Sequence, residues 1–294
     1  MKELSAMFIN NISASRSDII DQCLWKYKLR YIDRLPGFGA KNEDALNFGS
    51  FIHKIFELGY KEKDLKTLLK IAEQERAAYK VPFHENDRMK TCLENFLIWN
   101  QKMGETVSTE QSVSIPLDEK NDISFVGVID RVIKGSDGGY LVIDYKTSKK
   151  EKRKKTLMDD NQLKGYAWAI HMLHGVPYEQ IYCAHYYPVT GNFVAVKFTR
   201  FQIERWKKMQ TEKVWRIRKK KKDEFWAQEN IFCNWCEYKE ACPKFESEEV
   251  VCKRLDEQRE LKKSLAESKK PSKEKNGKNT SDNNPPVTSS TKEG

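Results

Sequence analysis

The strongest constraint on the fold is a pair of apolar strand patterns between residues 123 and 150. They flank a turn at residues 136–139, where Gly138 and Gly139 can take the positive φ that a tight hairpin needs. Both faces of the predicted hairpin carry branched aliphatic side chains, namely Val128, Val132 and Val142 on one face and Ile129, Ile133, Leu141 and Ile143 on the other. Strands that are apolar on both faces are typical of the centre of a sheet.

Three charged side chains interrupt one face of this hairpin. Pairing Lys134 with Tyr140 across the turn places Asp130 opposite Asp144, and the alternation of side chains puts Lys146 on the same face. Two carboxylates that face each other about 5 Å apart destabilise a sheet. A divalent cation would offset the repulsion, since hard cations take carboxylate oxygens. Because the flanking residues are apolar, the pattern favours a metal site over two surface aspartates and a surface lysine.

Composition and charge narrow the class of protein. The 294 residues include 33% charged side chains and carry a formal net charge of +10, which suits a polyanionic partner, with nucleic acid ahead of a membrane surface. Solubility alone would also account for the charge. The sequence has no apolar run of about 18 residues and no signal-peptide pattern at its start, so we expect a cytoplasmic protein without a transmembrane segment.

The remaining patterns predict an α/β or α+β core with a mixed sheet covered by helices. Helices are expected near residues 16–34, 46–60, 64–80, 86–103, 161–174 and 202–222, with Cys23 on the apolar stripe of the first. Strands beyond the hairpin are expected at residues 112–118, 181–189 and 193–198. We expect one folded domain over residues 1–252 and a polar, largely disordered tail over residues 253–294, which has no aromatic residue.

Two basic runs accompany this core, at residues 149–155 and 216–222. Most charge runs are solvated loops. The first run, however, leaves the strand that carries Asp144 and Lys146. It is therefore predicted to contact phosphates beside the metal site.

Cys233, Cys236 and Cys242 have the spacing C-x2-C-x5-C in a short segment. A C-x-x-C pair places two thiolates on one metal ion or cluster. The fourth ligand is either the local Cys252 or the distant Cys23, which would tie the two ends of the domain together. Spacing alone leaves both zinc and an iron–sulfur cluster open.

Six short segments follow one another along the chain in this order: SASRSDIIDQC, GSFIHKIFE, GVIDRV, VIDYKTS, QLKGYAWAI and CNWCEYKEAC. Together they resemble the RecB-like branch of the PD-(D/E)XK nuclease superfamily, over residues 13–245. The resemblance implies a restriction-endonuclease-like fold, with a mixed central sheet flanked by helices and a C-terminal segment that binds a cluster through cysteines.

The resemblance also implies roles for individual residues. His53, Asp130 and Asp144 would hold Mg²⁺ or Mn²⁺. Lys146 would orient or deprotonate the attacking water. The Q-x-x-x-Y motif, Gln162 and Tyr166, would position the substrate or the lysine. Two weaker candidates, for which a surface role is the better expectation, are Glu57 and Glu110.

Members of this branch with an iron–sulfur cluster, which include AddB-type proteins and CRISPR-associated RecB-like nucleases, place one cysteine before the nuclease motifs and three after. That pattern matches Cys23, Cys233, Cys236 and Cys242, and so favours a [4Fe–4S] cluster over a structural Zn²⁺, and Cys23 over Cys252. One departure is Leu24, which stands where many members have proline after the first cysteine.

The expected function is that of a divalent-metal-dependent deoxyribonuclease. We expect an exonuclease that acts on single strands or duplex ends of DNA in recombination, repair, or phage or CRISPR DNA processing, with a helicase or recombination protein as partner. The alternative is a non-catalytic DNA-binding or scaffold subunit of a helicase–nuclease complex. The intact set His53, Asp130, Asp144 and Lys146 argues against that alternative.

Overall fold

The computed structural model describes residues 9–39 and 43–268. Six strands form one sheet: β1 (Asn11–Ile12), β2 (Glu105–Asp118), β3 (Ile123–Lys134), β4 (Tyr140–Tyr145), β5 (Ile181–Tyr187) and β6 (Asn192–Val196). Its α-helices are α1 (Ala14–Gln22), α2 (Leu24–Tyr27), α3 (Glu43–Gly59), α4 (Leu65–Glu75), α5 (Asn86–Asn100), α6 (Lys154–Leu157), α7 (Asn161–His174), α8 (Arg200–Arg218) and α9 (Glu248–Ser268).

Strand β3 lies at the centre of the sheet. It pairs with β4 in the predicted antiparallel register, which places Lys134 opposite Tyr140. Strand β2 occupies the other edge of β3 along its length, and β1 runs parallel to the first residues of β3. Beyond β4, β5 pairs in parallel and β6 in antiparallel orientation. The mixed sheet flanked by helices confirms the predicted fold class.

Two clusters of buried apolar side chains cover the faces of the sheet. On one face α7 and α8 pack against Val132 and Val142, and on the other α3, α4 and α5 pack against Ile133 and Ile143. Helix α7 occurs over the predicted residues, since Asp160 caps its first turn and Gly175 ends it with φ +66°.

The regular alternation of faces predicted for β3 is wrong at one point. Ile129 packs in the same cluster as Val132 instead of on the opposite face, and Val128 is 42% exposed. The change occurs at Asp130. The residue across from it in β2, Glu110, has φ +46°, which breaks the pleat.

The predicted helix over residues 16–34 is interrupted. Cys23 is extended (φ −164°, ψ 115°) and separates α1 from α2, so it does not continue a helical stripe. At the other end of the chain, α9 runs through residue 252, the expected domain boundary, and buries Val251 and Leu255. Residues 269–294 of the expected tail lie outside the described part of the chain.

Candidate active site

The site forms where β3 and β4 separate. Their ladder ends at the pair Arg131–Ile143, and the next residues are Asp130 and Asp144. The backbone N–H of Tyr145 donates to Oδ2 of Asp130 at 2.7 Å, so a side chain replaces the strand carbonyl as acceptor. Asp130 is 8% exposed and Asp144 1% exposed. Buried carboxylates of this kind need a compensating cation or donors.

His53 reaches the site from α3. The apolar stripe of this helix, which includes Phe48, Ile52 and Phe56, packs against the sheet and brings the imidazole to the strand ends. His53 Nε2 lies 2.9 Å from the carbonyl oxygen of Tyr145, and His53 Nδ1 lies 3.4 Å from Asp130 Oδ2.

The hydrogen bond to the carbonyl assigns the His53 proton. A carbonyl only accepts, so Nε2 donates, and Nδ1 then keeps its lone pair toward Asp130. Metal-binding histidines commonly donate their other ring N–H to a carbonyl in this way. Nδ1 carries this lone pair in the neutral ring. Without a metal ion, burial opposes the charged form of His53, but the hydrogen bond that a protonated Nδ1 donates to Asp130 and the charge of Asp130 outweigh burial and raise the pKa of His53. A metal ion bound at Nδ1 would replace that proton.

Glu110, a weaker candidate from the sequence, completes a close group with two of the predicted ligands. One ligand atom from each of His53, Glu110 and Asp130 lies within 4.8 Å of the other two. The structure thus places Glu110, which sequence reasoning ranks only as a weaker candidate, beside two of the predicted ligands. Burial raises the pKa of Glu110, and the nearby charge of Asp130 adds to the rise. The polar pattern of the first half of β2 concealed this residue.

Asp144 lies outside that close group and holds Lys146. Lys146 Nζ is 2.5 Å from Asp144 Oδ2. Burial raises the pKa of Asp144 to about 6, although the charge of Lys146 opposes the rise. Burial would lower the pKa of Lys146, but Asp144 outweighs that effect and raises it. Lys146 is therefore an ammonium group at neutral pH in this arrangement.

The two motif residues of α7 extend from Lys146 in a chain of hydrogen bonds. Lys146 Nζ donates to Gln162 Oε1 at 3.3 Å, and Gln162 Nε2 donates to Tyr166 Oη at 2.8 Å. The Tyr166 hydroxyl donates in turn to the carbonyl of Val128. These hydrogen bonds connect the lysine to α7 and, through Tyr166, to β3.

Sequence reasoning also missed His185. It lies in β5 directly beside Asp144, is fully buried, and has Nε2 3.4 Å from Asp144 Oδ2. The Tyr187 hydroxyl accepts the backbone N–H of Lys152 and lies 3.2 Å from His185 Nδ1. If that hydroxyl donates to Nδ1, the proton on Nε2 faces Asp144. Burial lowers the pKa of His185 to about 4.

A cleft opens beside Gln162 and Tyr166. Its other walls include Ser13 and Ser15, which flank the start of α1, and Lys152 from the first basic run. Lys152 Nζ pairs with Asp160, the cap of α7, at 2.9 Å. The cleft therefore joins the basic run to the residues around Lys146.

The four cysteines matched by the resemblance line one hollow, Cys23 from the break between α1 and α2 and Cys233, Cys236 and Cys242 from the C-terminal segment. Cys252 is exposed on α9 and does not line it. Trp25 holds the two parts together, because its backbone N–H donates to the Trp226 carbonyl at 3.0 Å and its Nε1–H to the Ala241 carbonyl at 3.1 Å.

Comparison with known proteins agrees with this fold. The family model of the PD-(D/E)XK nuclease superfamily matches residues 11–243. The chain therefore belongs to that superfamily, as a RecB-like nuclease, and nucleases of this superfamily use divalent metal ions.

Two individual proteins can be set beside the chain. An ATP-dependent helicase/deoxyribonuclease subunit of Streptococcus mutans is 26% identical over 157 residues, which are 47% of this chain and 14% of that protein. The chain thus spans a small part of that relative. The crystal structure of SSO0001 is 16% identical, with 81% of this chain and 88% of that chain covered at a TM-score of 0.36. Within the described residues, no helix is long and apolar enough to cross a membrane.

Burial of Asp144 generates a prediction about stability without metal. Its pKa is raised from 3.8 to about 6 on folding, so its ionised form lowers the stability of the folded state above that pH. In EDTA at pH 8, Asp144→Asn is expected to raise the free energy of unfolding by on the order of 1–3 kcal/mol. Urea denaturation measures the change. The difference in free energy of unfolding between the variant and wild type should shrink as pH falls through 6 toward 4. A variant that is less stable than wild type at pH 8 would contradict this explanation.

Proposed function

We propose that the protein is a divalent-metal-dependent deoxyribonuclease, and that His53, Asp130 and Asp144 are ligands of its ion. The observation that carries the proposal is the meeting of an imidazole lone pair and buried carboxylates beside a charged lysine. Two of the proposed ligands, His53 and Asp130, belong with Glu110 to a group of three ligand atoms within 4.8 Å of one another, and no other group of that kind occurs in the described part of the chain. The alternative of a non-catalytic scaffold subunit has no need of this arrangement.

The residues present fit a hard divalent ion. Carboxylate oxygens suit Mg²⁺ and Mn²⁺, and the imidazole of His53 favours Mn²⁺ somewhat more than an all-oxygen site would. The bond from His53 Nε2 to the Tyr145 carbonyl orients the free Nδ1 toward Asp130. When bound, such an ion polarises a phosphate and lowers the pKa of a bound water.

The chain's own residues supply positioning and charge. Lys146, as an ammonium group, can bind a non-bridging oxygen of the scissile phosphate or orient the attacking water, and thereby stabilise the charge that develops. Gln162 and Asp144 hold its Nζ from two sides. Lys152 lines the cleft, and with the rest of residues 149–155 it would contact phosphates of the DNA.

We further propose exonuclease action on single strands or duplex ends during recombination, repair, or phage or CRISPR DNA processing. The streptococcal relative is named as part of a helicase/deoxyribonuclease, which supports a helicase or recombination protein as partner. The net charge of +10 supports DNA as substrate.

We infer that the cysteine hollow holds a [4Fe–4S] cluster with a structural role. In a tetrahedral zinc site with Zn–S bonds of about 2.3 Å, the sulfur atoms lie about 3.8 Å apart. In the described residues no three cysteine sulfurs approach within 4.8 Å of one another, so the hollow is wider than a zinc site. A cluster there would clamp α1 to residues 233–242 and close a loop of some two hundred residues.

Cleavage depends on Lys146 in this account. With end-labelled DNA and Mn²⁺, Lys146→Ala is expected to lower the cleavage rate by at least ~100-fold, since it removes one charge from the transition state. Lys120→Ala, an exposed lysine in the turn before β3, serves as the matched control and should cleave at the wild-type rate.

The same assay separates the competing functions. Linear DNA should be degraded from its ends and circular DNA should resist, if the protein is an exonuclease. Undiminished cleavage by Lys146→Ala would refute the proposed role of the lysine. Tight DNA binding by wild type without metal-dependent turnover would favour the scaffold function.

The cluster is tested by colour and metal content. Anaerobically purified protein is expected to be brown with about four iron atoms per chain, as a [4Fe–4S] cluster requires. Cys23→Ser should lose both iron and colour, whereas Cys252→Ser should keep them because Cys252 lies outside the hollow. Colourless protein with one bound zinc would contradict the inference.

A further inference from the structure

Glu110 has an unusual backbone for a residue inside a strand. Its neighbours Thr109 and Gln111 pair regularly with β3, yet Glu110 itself has φ +46°. A left-handed conformation at a residue with a Cβ is unfavourable, and surrounding structure must enforce it. The strain occurs at the position across from Asp130. It turns the Glu110 side chain toward the active site, where its carboxylate joins His53 and Asp130.

In the described part of the protein, no hydrogen bond or ion pair holds the Glu110 carboxylate in this place. The charged groups that act on it include Asp130 and Glu57, which repel it, and His53 and Lys54, which attract it. Lys54 is already paired with Glu57 at 2.9 Å. Glu110 and Asp130 thus bring two negative charges together on one side of His53. Repulsion of this kind is relieved by a cation between the ligand atoms.

We propose that Glu110 is a further ligand of the divalent ion, bound on the side of His53 and Asp130. The inference rests on the proposed function, because it concerns the ion of the same site. Glu110 adds a third carboxylate to those of Asp130 and Asp144. A site with three carboxylates and one imidazole suits Mn²⁺ or Mg²⁺.

A structural role for Glu110 makes a different prediction. If its carboxylate only supported the fold, its removal would lower the stability of the metal-free protein and leave the affinity for metal unchanged. If it is a ligand, its removal lowers the affinity for metal. Relief of the repulsion with Asp130 would then leave the metal-free protein as stable as before or more stable.

Calorimetric titration of the full-length, metal-free protein with Mn²⁺, without DNA, tests the proposal. Glu110→Gln keeps the shape of the side chain and removes its charge, and it is expected to weaken Mn²⁺ binding by at least ~10-fold. The matched control is Glu105→Gln, an exposed glutamate at the start of the same strand, which should bind within about twofold of wild type. Wild-type affinity in Glu110→Gln would overturn the proposal.

A second variant keeps the test decisive if Glu110→Gln folds poorly. Asparagine tolerates the left-handed region, so Glu110→Asn should melt in EDTA at or above the wild-type temperature. Its gain in melting temperature on addition of Mn²⁺ should be smaller than that of wild type. A lower melting temperature in EDTA with a full Mn²⁺ response would assign Glu110 a structural role.

Failure of this inference can be told apart from failure of the proposed function. If wild type cleaves DNA and Glu110→Gln binds Mn²⁺ normally, only the role of Glu110 is wrong. If wild type binds Mn²⁺ through Glu110 but cleaves no DNA, the metal site stands and the nuclease proposal fails.

Discussion

The separation of β3 and β4 beyond the Arg131–Ile143 pair is the feature on which the site depends. It leaves two carboxylates at the end of a buried ladder, where neither can be fully hydrated. Asp130 is stabilised by the Tyr145 N–H and faces His53, whereas Asp144 holds Lys146. The concentration of negative charge is unfavourable for the fold alone and becomes favourable when a cation binds. The metal-free fold is therefore less stable because of the same carboxylates that would bind the ion.

The elements around this point each add one constraint. Helix α3 supplies an imidazole, and its apolar stripe fixes the approach. Helix α7 is the crossover between the parallel strands β4 and β5, so it lies over the sheet and brings Gln162 to Lys146. The cysteine hollow joins the break after α1 to the segment that follows α8. The two ends of the nuclease region are thereby held together.

Much of this arrangement could be predicted from local sequence. The register of the hairpin followed from its turn glycines and apolar pattern, and α7 followed from its periodicity and its ending glycine. The position of Glu110 beside His53 and Asp130, and the presence of His185, could not be found in this way. The side-chain direction of Glu110 depends on one residue with positive φ, which binary patterning does not reveal. The position of His185 depends on a parallel pairing set by the crossover, and no local signal reports it.

The central claim is that this repulsive group of side chains is a metal site, and crystallography with Mn²⁺ tests it most directly. Crystals of the full chain soaked in Mn²⁺ would be measured for anomalous scattering. The account predicts a strong anomalous peak in contact with His53 Nδ1 and the Asp130 carboxylate. A fully occupied Mn²⁺ elsewhere, with His53 and Asp130 in direct contact and no peak between them, would contradict it.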